Sequence, residues 1–456
     1  MDKMKKYPKY KDSGIEWIGD IPEHWNVMPF KRLFKILYRY PTYYNIDYVN
    51  SGIPEIRGEA LNNDGTISNL KDQRYIAEAT NALYPLTILE KNDIVMSVRG
   101  TMGKVGLVDD KYIGANITAN LLRMNPIKDI VHSRYLIIVL LSKYFKEKLD
   151  QYSPKTTIKT ITIPELNQIP MFLPPKVEQE EIANYLDQKT KQIDTLIEKK
   201  QKLIDLLKEQ RTAIINQAVT KGLDPNVPMK DSGIEWLGRI PEHWEVKPLK
   251  FIKSKDKYAF VDGPFGSNLK SIHFIANGDV YVIESGFITS GEFKIKEFKT
   301  ITREHFETIK RSECKAGDII IAKIGANFGM SGILPELDKD AVVSGNSLKL
   351  TVDADKNLKE FIHFQLLSLK FQGAFDLLVN MTAQPALSLQ ALNSLLGGNF
   401  HRNMQEKIVT YLNEKLKCID KSIASIKKQI ELQKEYRTTL ISEVVTGKID
   451  VRNEKE

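Results

Sequence analysis

Three kinds of residue in this 456-residue chain have types and spacings that could do chemistry: glycines beside a lysine, histidines and cysteines. Gly100-Thr-Met-Gly103-Lys-Val-Gly106 could cradle a phosphate through backbone N–H groups. Its glycines are three apart, however, and Gly103-Lys104 lacks the upstream glycine and the following Ser or Thr of a phosphate loop. The counterpart Gly325-Ala-Asn-Phe-Gly329-Met-Ser-Gly332 fails in the same way, and both read as hairpin turns or places of close backbone approach. The seven His residues form no H-x-x-x-H pair and no metal cluster. Cys314 and Cys418 stand far apart without metal-ligand spacing and read as buried or incidental thiols. Pro174-Pro175 lacks the flanking amide and aromatic residues of an amino-group methyltransferase element and reads as a rigid stop before a helix. With no activated nucleophile in view, the pattern points to recognition without catalysis.

The elements that position these residues are duplicated. Asp12 to Trp25, DSGIEWIGDIPEHW, returns at Asp231 to Trp244 as DSGIEWLGRIPEHW, an offset of 219 residues, and all four Trp residues (Trp17, Trp25, Trp236, Trp244) lie in these blocks. Their Ile, Trp and Pro residues on a Gly- and Pro-punctuated backbone suit an ordered strap packed on a module or helix end, or else an exposed partner-binding patch. His24 and His243 occupy the same place in both copies, which favours a buried or capping role. A second repeat, at offset 226, pairs Gln179 with Gln405, Tyr185 with Tyr411, Asp194 with Asp420, Arg211 with Arg437 and Thr220 with Thr446. Each half is therefore expected to be one globular unit followed by one long helix.

Between Val27 and Pro175 the period changes repeatedly, with short β-like runs such as Asp93 to Val98 and Ile113 to Met124, turn signals, and one helix predicted over Arg134 to Leu149. Residues 245 to about 400 repeat this organisation with diverged loops, including Asp279 to Glu284, Asp318 to Ala322 and a helix near Leu358 to Leu378. The fold class is α/β (mixed α+β). In the helical segments Ile193, Ile197, Lys200, Ile204, Leu207, Arg211 and Ile214 step by fours and threes, as do Ile419, Ile423, Ile426, Ile430, Gln433, Arg437 and Leu440, giving each helix an apolar seam. Each helix would run roughly 60 Å at ~1.5 Å per residue. Such a pair is either a rigid spacer or a structural hairpin or oligomerising coil.

The formal charge of +8, from 66 Lys plus Arg against 58 Asp plus Glu, is compatible with a polyanion partner but modest. The N-terminus lacks a signal-peptide core and the longest apolar run, Tyr135 to Leu141, is too short to cross a bilayer, so a cytoplasmic protein without membrane contact is expected.

The two Trp-containing blocks, the Pro-Pro-x-x-Glu-Gln run at Pro174 to Gln179, and the helices after Gln179 and Gln405 together resemble the specificity subunit of a type I DNA restriction-modification system. The resemblance implies two pseudo-twofold-related target-recognition domains separated by two long antiparallel helices packed as a coiled coil. The corresponding boundaries are 1–176 for the first domain, 177–222 for the first helix and connector, 223–402 for the second domain, 403–447 for the second helix and 448–456 for a polar tail. It also implies that each domain reads half of a split, asymmetric site on double-stranded DNA, with the helices setting the gap. The implied partners are two modification (methyltransferase) subunits and, where present, two restriction subunits. This chain would hold no cofactor; S-adenosylmethionine, ATP and Mg²⁺ belong to the partners. A different class of reading is a protein–protein scaffold with oligomerising helices, which salt-dependent binding to duplex DNA separates from the first.

One departure concerns the second junction. Gly398-Asn-Phe-His-Arg-Asn-Met-Gln405 has lost the prolines and the Glu that precede Gln179 in the first half, which leaves that helix's tilt open. Candidate DNA-binding residues, chosen as polar or basic groups near turns and glycines, are Arg57, Arg74, Arg99, Lys104, Asn116 and Lys155 in the first module. In the second they are Ser267, Asn268, Lys270, Lys323, Asn327, Asn346 and Gln384. Arg and Lys can grip phosphates or guanine edges, and Asn and Gln can pair with adenine. An ordinary solvated or structural role is the competing reading for each.

Overall fold

The run after Asp93 becomes the strand Ile94–Ser97, all four residues of which are buried. It is apolar throughout because both faces are covered: Ile94 and Met96 enter one hydrophobic cluster and Val95 another. In the computed structural model, residues 5–452 are described apart from 17, 40–45, 47, 154–158, 235–236, 265, 290, 326, 379–385 and 395. Trp17 and Trp236 therefore lie outside the described residues.

The chain forms two units, one of residues 1–201 with 428–456 and the other of residues 202–427. In the first unit an antiparallel sheet runs Phe34–Arg39, Leu121–Pro126, Ile94–Ser97, Val105–Leu107. A second sheet runs Asn116–Ile117, Ile53–Ile56, Arg74–Ile76, Tyr48–Val49, its first pair parallel. The second unit repeats the first sheet as Phe260–Asp262, Ser347–Leu350, Ile319–Ala322, Ser331–Ile333. Its other sheet keeps a parallel pair, Val280–Ile283 beside Asp340–Val343, flanked by Lys299–Ile301 and Glu313–Cys314. Ile319 and Ile321 face one cluster and Ile320 and Ala322 another, the same two-sided burial as in the first unit.

The helix expected over Arg134 to Leu149 is two helices, Ser133–Leu141 and Lys143–Tyr152. Ser142 breaks them apart by taking an extended backbone, and its hydroxyl accepts the Phe145 N–H at 3.2 Å, so it caps the second. The later helix is Lys359–Phe371, shorter than expected because Gly373 turns the chain at positive φ.

The long helices are Lys176–Lys221 and Arg402–Val445. Segments of both pack side by side in each unit, and they run antiparallel. In the first unit, Asp194 meets Arg437 while Lys200 Nζ lies 2.5 Å from Gln429 Oε1. In the second, Arg211 meets Asp420. Ile193, Leu440 and Ile430 are buried on the first unit's seam, and Ile204, Ile419 and Ile426 on the second's, with Ile197, Leu207 and Ile423 half-buried. Ile214 is only half-buried; its neighbour Ile215, outside the expected seam, is the fully buried residue, because here the helix faces its globular lobe as well as the other helix.

The repeated blocks are straps on helix ends. The first long helix ends at Gly222 (φ 78°) and the second at Gly447 (φ 73°), where a left-handed residue satisfies the last carbonyls. A Cβ at Gly222 would lie 3.1 Å from the Trp244 ring, and one at Gly447 would lie 3.2 Å from Trp25 and 2.3 Å from Pro22. Trp25 donates its indole N–H to buried Glu178 at 2.9 Å, which also accepts the Tyr7 hydroxyl at 2.7 Å and meets His24 Nε2 at 2.6 Å. The polar tail expected from 448 onward is in part packed structure. Ile449, Asp450 and Val451 are buried, the Asp450 N–H donates to Lys5 O, and the Arg452 guanidinium lies over the Tyr7 ring.

The second junction is the same as the first despite its lost prolines. Strand Pro170–Leu173 pairs with Asn26–Pro29 before helix residue 176, and Leu396–Asn399 pairs with Glu245–Pro248 before helix residue 402. Phe400 stands where Pro174 stands and packs on Trp244 and Phe361. Apolar contact thus replaces the stiffness of the proline pair.

Candidate nucleic-acid interface

Three arginines of the first unit hang on a single turn, Thr118–Ala119–Asn120. The Thr118 N–H donates to Ile56 O, which places Arg57 just beyond the parallel strand. Ala119 O accepts Arg39 Nε at 3.1 Å. Asn120 O accepts the Val98 N–H, which places Arg99 at the mouth of the hairpin that also carries Lys104. This turn lies where strands Ile53–Ile56, Phe34–Arg39 and Ile94–Ser97 end and Leu121–Pro126 begins, so the sheet edges themselves aim the three side chains.

Their electrostatic settings differ. Arg57 is paired with Asp72 at 2.8 Å. Arg99 is exposed and has no acidic partner among the described residues. Arg39 is half-buried, and burial together with the neighbouring Arg99 guanidinium lowers its pKa below the ordinary arginine range. Two like charges kept close without an intervening carboxylate cost stability in the free protein and suit an anion.

The second unit has the same turn, Ser344–Gly345–Asn346. The Ser344 N–H donates to Ile283 O, and Asn346 O accepts the Lys323 N–H. The strand registers give the equivalences. Leu122 faces Arg39 as Leu348 faces Asp262; Ile117 faces Ile56 as Val343 faces Ile283; Leu121 faces Ser97 as Ser347 faces Ala322. Arg39, Arg57 and Arg99 therefore correspond to Asp262, Glu284 and Ile324. Asp262 is held by Lys323 at 3.2 Å and Arg311 at 3.6 Å, and Glu284 by Lys299 at 2.8 Å. The same corner is open and basic in one lobe and internally neutralised in the other.

The remaining candidates are placed as follows. Asn116 is fully buried, with its amide on Asn81 Oδ1 at 2.6 Å and its Oδ1 accepting the Ile117 N–H, so it is a core residue that cannot reach a ligand. Lys323, also buried, is committed to Asp262, so its role too is structural. Arg74 lies away from the turn, over the Tyr48 ring, where a hydrogen bond to the Tyr48 hydroxyl raises its pKa. Asn327 donates to Ile288 O at 2.8 Å, and Asn346 is exposed on the turn. Asn268 and Lys270 are exposed on the loop after Asp262, where Asn268 O meets His305 Nε2 and the Lys270 N–H donates to His273 Nδ1. Ser267 lies in the same loop; its side chain, like Lys155 and Gln384, is outside the described residues. Sequence reasoning missed Arg39 and Asp262, whose signal was their place as the last residues of strands, Arg39 directly before Tyr40-Pro41 in the sequence. Among the described residues no group of three or more His, Cys, Asp or Glu could hold a metal ion, and no helix is long and apolar enough to cross a membrane.

Comparison with known proteins agrees with this layout. Residues 22–206 match the family described as the type I restriction modification DNA specificity domain. The type I restriction enzyme MjaVIII specificity subunit of Methanocaldococcus jannaschii is 26% identical over 375 residues, 80% of this chain and 81% of that protein. The EcoBI specificity subunit of Escherichia coli is 29% identical over 180 residues, 39% of this chain and 37% of that one. Among solved structures, a chain from a study of complex assembly and conformational transition of the type I R-M system superposes with a TM-score of 0.68, covering 93% of this chain and 98% of that one at 10% identity. The HsdS subunit of Thermoanaerobacter tengcongensis superposes at 0.54, covering 94% and 98% at 11% identity. Residues 22–206 thus carry the likeness to the type I restriction modification DNA specificity domain, and most of the chain is similar in sequence and fold to type I specificity subunits.

Proposed function

We propose that this chain gives sequence choice to a type I restriction-modification assembly and performs no catalysis itself. Residues 1–176 and 223–402 act as target-recognition domains, each reading one half of a split, asymmetric site on duplex DNA. The helices at 177–222 and 403–447 carry two modification subunits, which methylate adenine using S-adenosylmethionine. Where restriction subunits are present, they join the same assembly, driven by ATP with Mg²⁺, and its place is the cytoplasm.

The observation that carries this reading is one scaffold built twice with its turn-end charges changed, Arg39, Arg57 and Arg99 against Asp262, Glu284 and Ile324. A common frame with unlike reading groups is what two unlike half-sites require. Two like docking places for the modification subunits are supported by a groove in each unit between lobe and helices. One, of about 630 Å³, is lined by Arg134, Asp187, Asp194 and Arg437. The other, of about 560 Å³, is lined by Glu360, Asn413, Asp420 and Arg211, which stand 226 residues away in the repeat. Single-molecule sequencing of adenine methylation in cells with and without this chain tests the reading. A two-part motif methylated only in its presence is expected, and unchanged methylation in cells that contain the modification subunits overturns it.

A further inference from the structure

The charge difference between the two equivalent corners goes further than half-site choice. In the first unit, Ala119 O holds Arg39 by its Nε at 3.1 Å, and among the described residues the terminal guanidinium nitrogens have no partner. Arg99 follows Val98, whose N–H is fixed to the next carbonyl of the same turn, Asn120 O, at 2.9 Å. The Arg99 backbone is bridged on its other side to Thr160. Both arginines are therefore positioned by backbone contacts and, among the described residues, not by acids. Arg39 and Val98 also line one cavity of about 200 Å³, together with Thr162 and Pro164, which places the two turn-end positions beside each other. A carboxylate would be the simplest relief for two adjacent guanidiniums, and the second unit has one at the Arg39 position, Asp262, already engaged by Lys323 and Arg311.

Resting on the DNA-binding reading above, we infer that Arg39 and Arg99 together hold one backbone phosphate of duplex DNA. The first lobe then has a phosphate anchor that the second lobe lacks at the same corner. A phosphate oxygen accepts from guanidinium N–H groups on both sides and supplies the missing negative charge, which neutral base edges do not. Neutralising a phosphate releases condensed counterions, so the contact also contributes to the salt dependence of binding.

The test uses the full chain co-purified with its modification subunits, and a duplex carrying the methylated motif, with affinity measured by fluorescence anisotropy between 50 and 200 mM salt. Arg39→Gln with Arg99→Gln is expected to weaken binding by about tenfold and to reduce the log–log salt slope by about 1. Arg39→Lys with Arg99→Lys, which keeps both charges, is expected to preserve the slope. A neutral methylphosphonate placed at successive backbone positions should weaken the wild-type complex at one position of the first half-site and have no effect there on the Gln variant. If the loss instead follows replacement of a guanine by 7-deazaguanine, these arginines read a base and the inference is overturned. An unchanged slope in a Gln variant with wild-type thermal stability also overturns it. A wild-type assembly that shows no salt-dependent duplex binding removes the DNA-binding reading itself, and this inference with it.

Discussion

Arg437 Nε lies 3.0 Å from Asp194 Oδ1, and the same two positions of the repeat, exchanged between helices, place Arg211 Nε 3.5 Å from Asp420 Oδ1. Each pair is internal to one unit and crosses between the two long helices. Such half-exposed pairs contribute little to stability, about 0.5 kcal/mol, but they favour one register, because a slip of the seam would separate both pairs. Arg437→Asp should lower the unfolding midpoint of the first unit, and adding Asp194→Arg should recover most of the loss. Differential scanning calorimetry of the single and double variants checks this; a double variant no better than the single would mean that the pair does not couple.

Glu178 is the point on which the first strap converges, and Met404 stands at its repeat-equivalent position. The consequence is visible at Trp244, whose buried indole N–H has no partner among the described residues. Glu178→Met should strand the Tyr7 hydroxyl and the Trp25 N–H and cost about 2 to 4 kcal/mol. Removing the indole N–H by Trp25→Phe should carry a hydrogen-bond loss that Trp244→Phe does not. Urea unfolding of the four proteins gives the comparison, and equal losses for the two Trp variants would contradict it.

Gln179 and Gln405 form the same clamp in both halves. Gln179 Oε1 accepts the His132 N–H at the start of a lobe helix, and its Nε2 donates to Ile130 O and Pro174 O. Gln405 Oε1 accepts the Leu358 N–H, and its Nε2 donates to Lys356 O and Phe400 O. Every partner is displaced by 226 residues, so the clamp predates the divergence of the loops. Gln179→Leu and Gln405→Leu each leave buried backbone groups unpaired and should cost about 2 to 4 kcal/mol. Loss of amide-exchange protection at His132 or Leu358 should accompany the destabilisation.

His363 gives the second unit a pH dependence. It is buried, with Nε2 donating to Gly291 O at 3.0 Å and Nδ1 3.0 Å from the Ser331 hydroxyl, and burial pushes its pKa down from 6.5 to about 4. The unfolded chain then binds the proton more readily than the fold. The stability from this group is complete above pH 6.5 and is lost as pH falls from 6.5 to about 4, a change of about 3 kcal/mol. His363→Gln should flatten that stretch of the stability profile. A profile identical to wild type between pH 6.5 and 4 would contradict the assignment.

Much of the frame was legible before any coordinates, because repeats and seams are local or periodic signals. The spacing of Ile193, Ile204, Ile419 and Ile426 places them on one face whatever the rest of the chain does. Gly222 and Gly447, just past the periodic runs, mark helix ends for the same reason. Breaks such as Ser142 were not legible, since a capping hydroxyl inside an apolar run is indistinguishable from a tolerated helical serine until its backbone direction is known.

The sequence by itself therefore determined the duplication, the long helices and the family resemblance, all carried by residues near one another in the chain or by a constant offset. Only the tertiary structure decided that the strand ends before Arg57 and Arg99, and the Arg39 side chain, bond the one turn Thr118–Asn120, that Asn116 and Lys323 are spent inside the fold, and that Asp262 takes the place of Arg39 in the second lobe. Those outcomes depend on strand register and burial between segments far apart in the chain, as Arg39 is from Leu122 and Asp262 from Leu348. Charge and proximity to a glycine do not encode which way a side chain will face once the sheets have paired.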